Sequence, residues 1–430
     1  MKKRFADSLL IKNCNLVDGE KIYGAYDILI LDGIIEEFAP HGVIAELPTI
    51  PVYDANGAYA APAFIDVHTH LRDPGFTYKE DIASGTAAAA AGGYGTVVPM
   101  PNTSPVTDNE ETLKYVLDTA NESASCRVLP AAAITKGQKG EEVTNFAKLR
   151  EAGAIAFSDD GRPVSDRETM KIAMKQAALG EHLIISHSEE LSLTGRGVIN
   201  DGETSRKLGV PGIPNSSEDE AVAREIELCR ETGAHLHIAH VSTAKSADLI
   251  RKAKEEKLTV TGETCPHYFV FADEDVEHLG TNGKMKPPLR STEDKEAIIK
   301  AVIDGTLDCI STDHAPHSAE DKADLETGAF GILGLQTAFA ASYTTFVKSG
   351  LMTLPDLIYH MSTAPAKVLS LDDGRGFIDY GAKADIVIFS GDEFVLREED
   401  IKSISKNSPF IDMPMYGKIL ATFARICLIK

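Results

Sequence analysis

Short apolar runs separated by longer amphipathic stretches fill the middle of the chain. Eight of them read as strands: 63–67, 96–100, 127–134, 154–157, 183–186, 236–239, 258–261 and 307–311. Helical segments lie between them, the pattern of βα units that feed a parallel sheet. Two of those helices are expected to start at capping-box spacings, Ser165 with Glu168 and Ser217 with Glu220. Eight strands within roughly 250 residues match the size of a (β/α)8 TIM barrel. An open doubly wound sheet is the alternative, but its Gly-x-Gly-x-x-Gly mark after a first strand is missing.

The two ends of the chain have another texture. Asp27-Ile28-Leu29-Ile30-Leu31, then Asp32-Gly33, then Ile34-Ile35 reads as a hairpin with a two-residue turn. Strand-like runs return after Thr363, at 384–389 and 419–429. The expected architecture is therefore α/β, with residues 61–365 forming the barrel. Residues 1–60 and 366–430 would share one small β-sandwich domain built from both ends. No repeat of solenoid period and no low-complexity linker interrupts this division.

A chain of 430 residues exceeds what one growing core accommodates, which agrees with a large unit plus a small one. Its apolar fraction of 43% and charged fraction of 25% are those of a globular protein. The net charge of −22 argues against nucleic acid or an anionic membrane surface as partner. No apolar run approaches the ~20 residues that span a bilayer. Met1-Lys2-Lys3-Arg4 is basic, but Asp7 follows without a long apolar stretch, so no signal peptide is expected. Cys14, Cys126, Cys229, Cys265, Cys309 and Cys427 show no paired spacing and read as free, mostly buried thiols of a cytoplasmic protein. Without a Cys-x-x-Cys, a metal would be held by nitrogen and oxygen.

The chemistry gathers where the runs end, which in barrel enzymes is the catalytic face. His68 and His70 are two apart on a strand, so both imidazoles can point to one metal ion. Taken alone such a pair is more often structural. Further run ends carry Asn102, Asp159-Asp160-Gly161, His187, His240, Cys265-Pro266-His267 and Asp313-His314-Ala315-Pro316-His317. Four histidines and two carboxylates exceed one tetrahedral zinc. A binuclear site with a shared carboxylate fits the number, binding hydroxide near neutral pH and polarising a carbonyl. A group must then move a proton to the leaving nitrogen, and Asp313 is the natural choice. Arg72, a cation with five fixed donors beside the metal, suits an anionic substrate.

Several motifs now resemble a known family. Asp66-Val67-His68-Thr69-His70-Leu71-Arg72-Asp73-Pro74-Gly75, Met100-Pro101-Asn102-Thr103, Glu263-Thr264-Cys265-Pro266-His267-Tyr268 and Ser311-Thr312-Asp313-His314-Ala315-Pro316-His317 look like class I dihydroorotases, a branch of the cyclic amidohydrolases. Phe330-Gly331-Ile332 and Gly334-Leu335-Gln336-Thr337 match as well, and the resemblance covers nearly the whole chain. It implies an amidohydrolase-type barrel. It also implies metal-dependent, reversible cyclisation of N-carbamoyl-L-aspartate to L-dihydroorotate in pyrimidine (UMP) biosynthesis. Two divalent ions are implied, zinc foremost, although the same ligand types suit manganese, cobalt or iron. One ion would take His68, His70 and Asp313, the other His187 and His240, with Asp160 bridging and Asp313 serving a bridging hydroxide as general acid/base. Arg72, Asn102 and His317 would hold the substrate carboxylate, and backbone at Phe330 and Gly331 would close on the ring.

The resemblance also frames the exceptions. Many relatives bridge with a carboxylated lysine, whereas this branch uses an aspartate; Lys136 is read as a solvated lysine and Asp159 as a loop residue. Lys286 stands in Lys284-Met285-Lys286-Pro287-Pro288-Leu289-Arg290 where relatives carry an asparagine that touches the substrate. His235, His237 and His314 are expected to pack or to support ligands, and 318–329 to form a mobile flap over the pocket. Two other functions remain: another cyclic amidohydrolase such as an allantoinase or hydantoinase, or a silent homologue that scaffolds aspartate transcarbamoylase. A small-molecule substrate and a homodimer are the expected partners.

Overall fold

The runs of the middle segment form strands because they are apolar enough to be covered on both faces. All six residues of Phe64–Thr69 and all six of Tyr94–Pro99 are buried, as parallel strands flanked by helices require. The computed structural model describes residues 3–4, 8–424 and 427–429; Met1, Lys2 and the side chain of Cys427 lie outside the described residues.

Phe64–Thr69 pairs in parallel with Tyr94–Pro99, which pairs with Arg127–Val128. The run then continues as single parallel bridges, Ala132 to Phe157 and Phe157 to Ile184. Leu183–Ser186, His235–Ile238, Val260–Thr264 and Cys309–Ile310 follow, each parallel to the last. A bridge from His314 to Thr69 returns the pairing to its first strand. Asp66, fully buried, fastens that seam by accepting from the backbone of His68 and from the Thr312 amide and hydroxyl.

Three of the expected runs are shorter than their sequence suggests, the eighth, 307–311, being a strand only over Cys309–Ile310. The third was read as 127–134, yet its strand is Arg127–Val128, because Pro130 has no N–H to give the ladder. The fourth, 154–157, forms bridges rather than a strand, with Phe157 bonded to Leu183 O at 2.9 Å. Both expected capping boxes are displaced. Asp166, not Ser165, caps Arg167–Gly180 by accepting from Thr169 N, since a carboxylate also answers the positive helix end. Ser216–Thr232 begins one residue before Ser217, whose hydroxyl donates to Pro214 O instead.

Strands from both chain ends join one nine-stranded mixed sheet. Ile386–Val395 lies between Tyr59–Pro62 and Pro414–Ala424, so residues before and after the parallel ring share hydrogen bonds. The expected hairpin is present: Leu31 pairs Ile34, and Asp32 and Gly33 have φ of 49° and 74°, the double positive φ of a type I′ turn. This sheet buries apolar side chains on both faces, Ile11, Ile28 and Ile388 on one and Leu10, Leu29 and Ile44 on the other. Among the described residues no helix is long and apolar enough to cross a membrane. Cys14, Cys126, Cys229, Cys265 and Cys309 are free and buried, as expected.

His267 gives the fold a pH signature. It is 1% exposed, and burial pushes its imidazole down to about 4. The unfolded chain therefore takes up a proton first on acidification. The stabilisation is complete above pH ~6.5 and is lost as pH falls from there towards 4, on the order of 3 kcal/mol. Melting curves between pH 7 and 4 should show His267→Gln losing less Tm than the parent chain; parallel slopes would count against this.

Candidate metal and substrate site

Run ends from separate strands converge on one carboxylate. Asp160 Oδ1 stands 3.2 Å from His68 Nε2, 3.3 Å from His187 Nδ1 and 3.5 Å from His240 Nε2, while Oδ2 stands 3.4 Å from His70 Nε2. Two compact ligand groups result, His68 with His70 and Asp160, and Asp160 with His187 and His240. Asp160 belongs to both. Asp313 Oδ1 adjoins the first group, 3.0 Å from His70 Nε2 and 3.7 Å from His68 Nε2. All six side chains are buried.

The donor set suits cations. His68 Nε2 and Asp160 Oδ1 have no hydrogen-bond partner among the described residues, although both are fully screened from water. Buried polar atoms are normally paired, so orphaned lone pairs aimed at one another fit a metal. Arg72, His240 and Asp313 hold φ of 60°, 37° and 45°. Left-handed backbone at non-glycine residues is strained and clusters at functional sites. Burial pushes the Asp160 carboxyl up, but the charge of His68 and the His187 and His240 imidazoles beside it hold it well below the usual range. Burial likewise opposes Asp313, while the hydrogen bond to His70 and the His68 charge hold it at about 2.

A supporting layer orients the imidazoles. His68 Nδ1 is 2.9 Å from Glu263 Oε1, and Glu263 also lies 3.3 Å from His237 Nε2. His237 in turn meets Thr261 Oγ1 at 2.8 Å, so its expected supporting position is where it stands. Glu189 faces His187 Nε2 at 3.5 Å. Sequence reading missed the roles of both glutamates, and only Glu263's place in a shared motif pointed to it. Asn102 does double duty: Oδ1 meets His70 Nδ1 at 2.9 Å, and Nδ2 donates to Asp160 Oδ2 at 3.4 Å. His314 accepts from Gly334 N and faces Glu80, and His235 opens its strand at the end remote from His240. Lys136 is exposed and paired with Glu142. Asp159 stands outside any helix or strand, as expected, and is buried, accepting from the Thr135 amide.

Beside the ligand groups lies a cavity of about 290 Å³, the scale of a small-molecule site. Every expected site residue lines it except His68, which sits behind the others. Arg72 Nη2 is 3.2 Å from His317 Nε2, and Arg72 Nε donates to Pro316 O. His317 Nε2 is also 2.8 Å from Phe330 O. Burial, with Arg72 and Lys79 nearby, pushes His317 down to about 2, so its imidazole is neutral. Lys286 reaches into the same cavity. Segment 318–329 is stitched down by Lys322, whose ammonium donates to the carbonyls of Lys284, Ala329 and Gly331.

Known proteins resemble this chain in sequence and in fold. Residues 57–246 match a family model described as Dihydro-orotase-like. A dihydroorotase of Ruminiclostridium cellulolyticum is 45% identical over 413 residues, covering 95% of each chain. A dihydroorotase of a Thermoanaerobacter species is 44% identical over 416 residues, covering 96% of this chain and 95% of the relative. The solved structure of an L-hydantoinase (dihydropyrimidinase) from Arthrobacter aurescens aligns over 98% of this chain and 96% of its own, with a TM-score of 0.88 and 24% identity. That likeness concerns the fold alone.

If Glu263 fixes the His68 ring, Glu263→Gln should weaken metal affinity about 10- to 100-fold while the variant stays folded. Titration with a competing chelator measures this, and an unchanged affinity would remove Glu263 from the site.

Proposed function

The chain belongs to the dihydroorotase family, and on that footing we propose how its residues divide the work. Its activity is that of a dihydroorotase, a cyclic amidohydrolase that reversibly interconverts N-carbamoyl-L-aspartate and L-dihydroorotate. We read the parallel ring, residues 61–365, as an amidohydrolase-type (β/α)8 barrel. The nine-stranded sheet from residues 1–60 and 366–430 is the small β-sandwich domain in this reading. The observation that carries the mechanism is Asp160 facing four imidazoles beside Asp313 and Arg72.

Two divalent ions, zinc by ligand type, would be held by His68, His70 and Asp313 and by His187 and His240, with Asp160 shared. Such ions, when bound, polarise a carbonyl and activate water near neutral pH. The chain's own groups do the rest. Arg72 offers its fork to the substrate carboxylate, and Asn102 keeps His70 and Asp160 in place. The neutral His317 carries no competing charge and braces the Phe330 carbonyl, so that the Phe330-Gly331 backbone can close on the ring. Asp313, a carboxylate at working pH, takes the proton of the attacking water and hands it to the departing ring nitrogen. In the cyclising direction it removes a proton from the carbamoyl nitrogen.

Two features favour this substrate over those of allantoinases and hydantoinases, which usually bridge with a carboxylated lysine and lack an arginine after His-x-His. Asp160 occupies the bridging position, and Arg72 supplies the anion site. A silent scaffold for aspartate transcarbamoylase is disfavoured because each expected ligand type is present. We place the protein in the cytoplasm, as its free buried thiols suit, and assign it a homodimer, the commonest closed assembly.

Offered dihydroorotate, allantoin and dihydrouracil, the purified protein should open dihydroorotate fastest, and preference for either other ring would overturn the assignment. Asp313→Ala should lower kcat by about 10²- to 10⁴-fold while bound metal, read by mass spectrometry, is partly retained. Near-parental rates in that variant would end the acid/base role.

A further inference from the structure

Arg72 and Lys286 are the two lysine or arginine side chains that line the cavity. Lys286 Nζ stands 3.0 Å from Glu189 Oε2 and 5.5 Å over the Phe330 ring, with its side chain 25% exposed. Glu189 is buried and turns the same oxygen towards His187 Nε2. An ammonium carries three donors. Glu189 takes one, and no other partner engages the rest among the described residues. A cation with unused donors therefore faces the cavity, anchored by a buried carboxylate.

The chemistry of the ligand decides what those donors meet, and this step rests on the dihydroorotase reading. With the ring carboxylate on Arg72 and the reacting carbonyl beside Asp313, three polar groups of dihydroorotate remain. They are two ring N–H groups and the ureido carbonyl between them. Lysine cannot accept a hydrogen bond, so only the ureido oxygen can receive one from it. We propose that Lys286 is a catalytic residue that donates to the ureido oxygen and stabilises the charge reaching it during ring opening.

Ring opening breaks the bond between the ring nitrogen and the reacting carbonyl carbon, while the oxygen of water bonds to that carbon and ends in the new carboxylate. The electron pair of the broken bond stays on nitrogen and delocalises onto the ureido oxygen. One proton of water reaches that nitrogen through Asp313, and the other is released. An ammonium on the ureido oxygen lowers the cost of that charge. In reverse it acidifies the carbamoyl N–H that Asp313 must deprotonate.

Lys286→Met keeps all but the last atom of the side chain's length and removes its charge. It should lower kcat about 10- to 100-fold in both directions, the span of one hydrogen bond to a charged group. The ratio of forward to reverse kcat/KM should stay constant, and Lys286→Arg should recover most of the loss. Succinate, which has two carboxylates and no ureido group, should inhibit the parent and Lys286→Met equally. Metal content by mass spectrometry should match between them, which separates this role from one exerted through Glu189 and His187. A kcat within about twofold of the parent would overturn the proposal, as would a weakening of succinate to match the loss of rate. Metal loss in step with activity would overturn it too. A parent protein that fails to interconvert the two substrates would sink the dihydroorotase reading first, before any variant is made.

Discussion

The structure depends on one buried carboxylate meeting four buried imidazoles. Asp160 brings together His68, His70, His187 and His240, which sit at the ends of three strands while Asp160 itself follows a fourth run. A carboxylate has two oxygens and about four lone-pair directions, so it can be shared as no imidazole can. Burying that many ionisable groups is costly unless they are paired or coordinated. The ring of parallel strands supplies the pairing by delivering each run end to one point.

The same need for pairing explains the supporting groups. Each imidazole has two nitrogens, and one facing the shared carboxylate leaves the other to be satisfied inside the protein. Glu263, Asn102 and Glu189 answer that need for His68, His70 and His187. Each also sets which way the ring faces, a second shell of the kind that tunes metal sites. Charge is distributed accordingly. The carboxylates Asp160, Asp313, Glu189 and Glu263 stay ionised despite burial, whereas His267 and His317, outside the ligand groups, are held neutral.

The cavity beside the ligand groups combines two cations of different character. Arg72 is a planar fork lodged against Pro316 and His317, which suits a carboxylate. Lys286 is a point charge tethered to Glu189. Between them the wall at Phe330 and Gly331 is pinned from behind, by His317 on the Phe330 carbonyl and by Lys322 and Asn407 on the Gly331 carbonyl. The segment 318–329, expected as a mobile flap, is tied through Lys322 to the carbonyls of Lys284, Ala329 and Gly331.

Local pattern determined a good deal of this. Apolar runs placed the parallel strands within a few residues, Asp32-Gly33 set the hairpin, and ligand-type residues gathered at the run ends, whereas the choice of Asp160 over its neighbour Asp159 came from the family resemblance. Those features are legible because side-chain periodicity and turn chemistry act over a few residues. Only the tertiary structure decided that Glu263, 195 residues from His68, would orient that ring, and that Asn102 would contact His70 and Asp160. The same holds for Lys286 pairing with Glu189 and for Pro130 cutting the third strand short. These contacts depend on the register between neighbouring strands and on how far each side chain reaches, and no stretch of sequence carries either by itself.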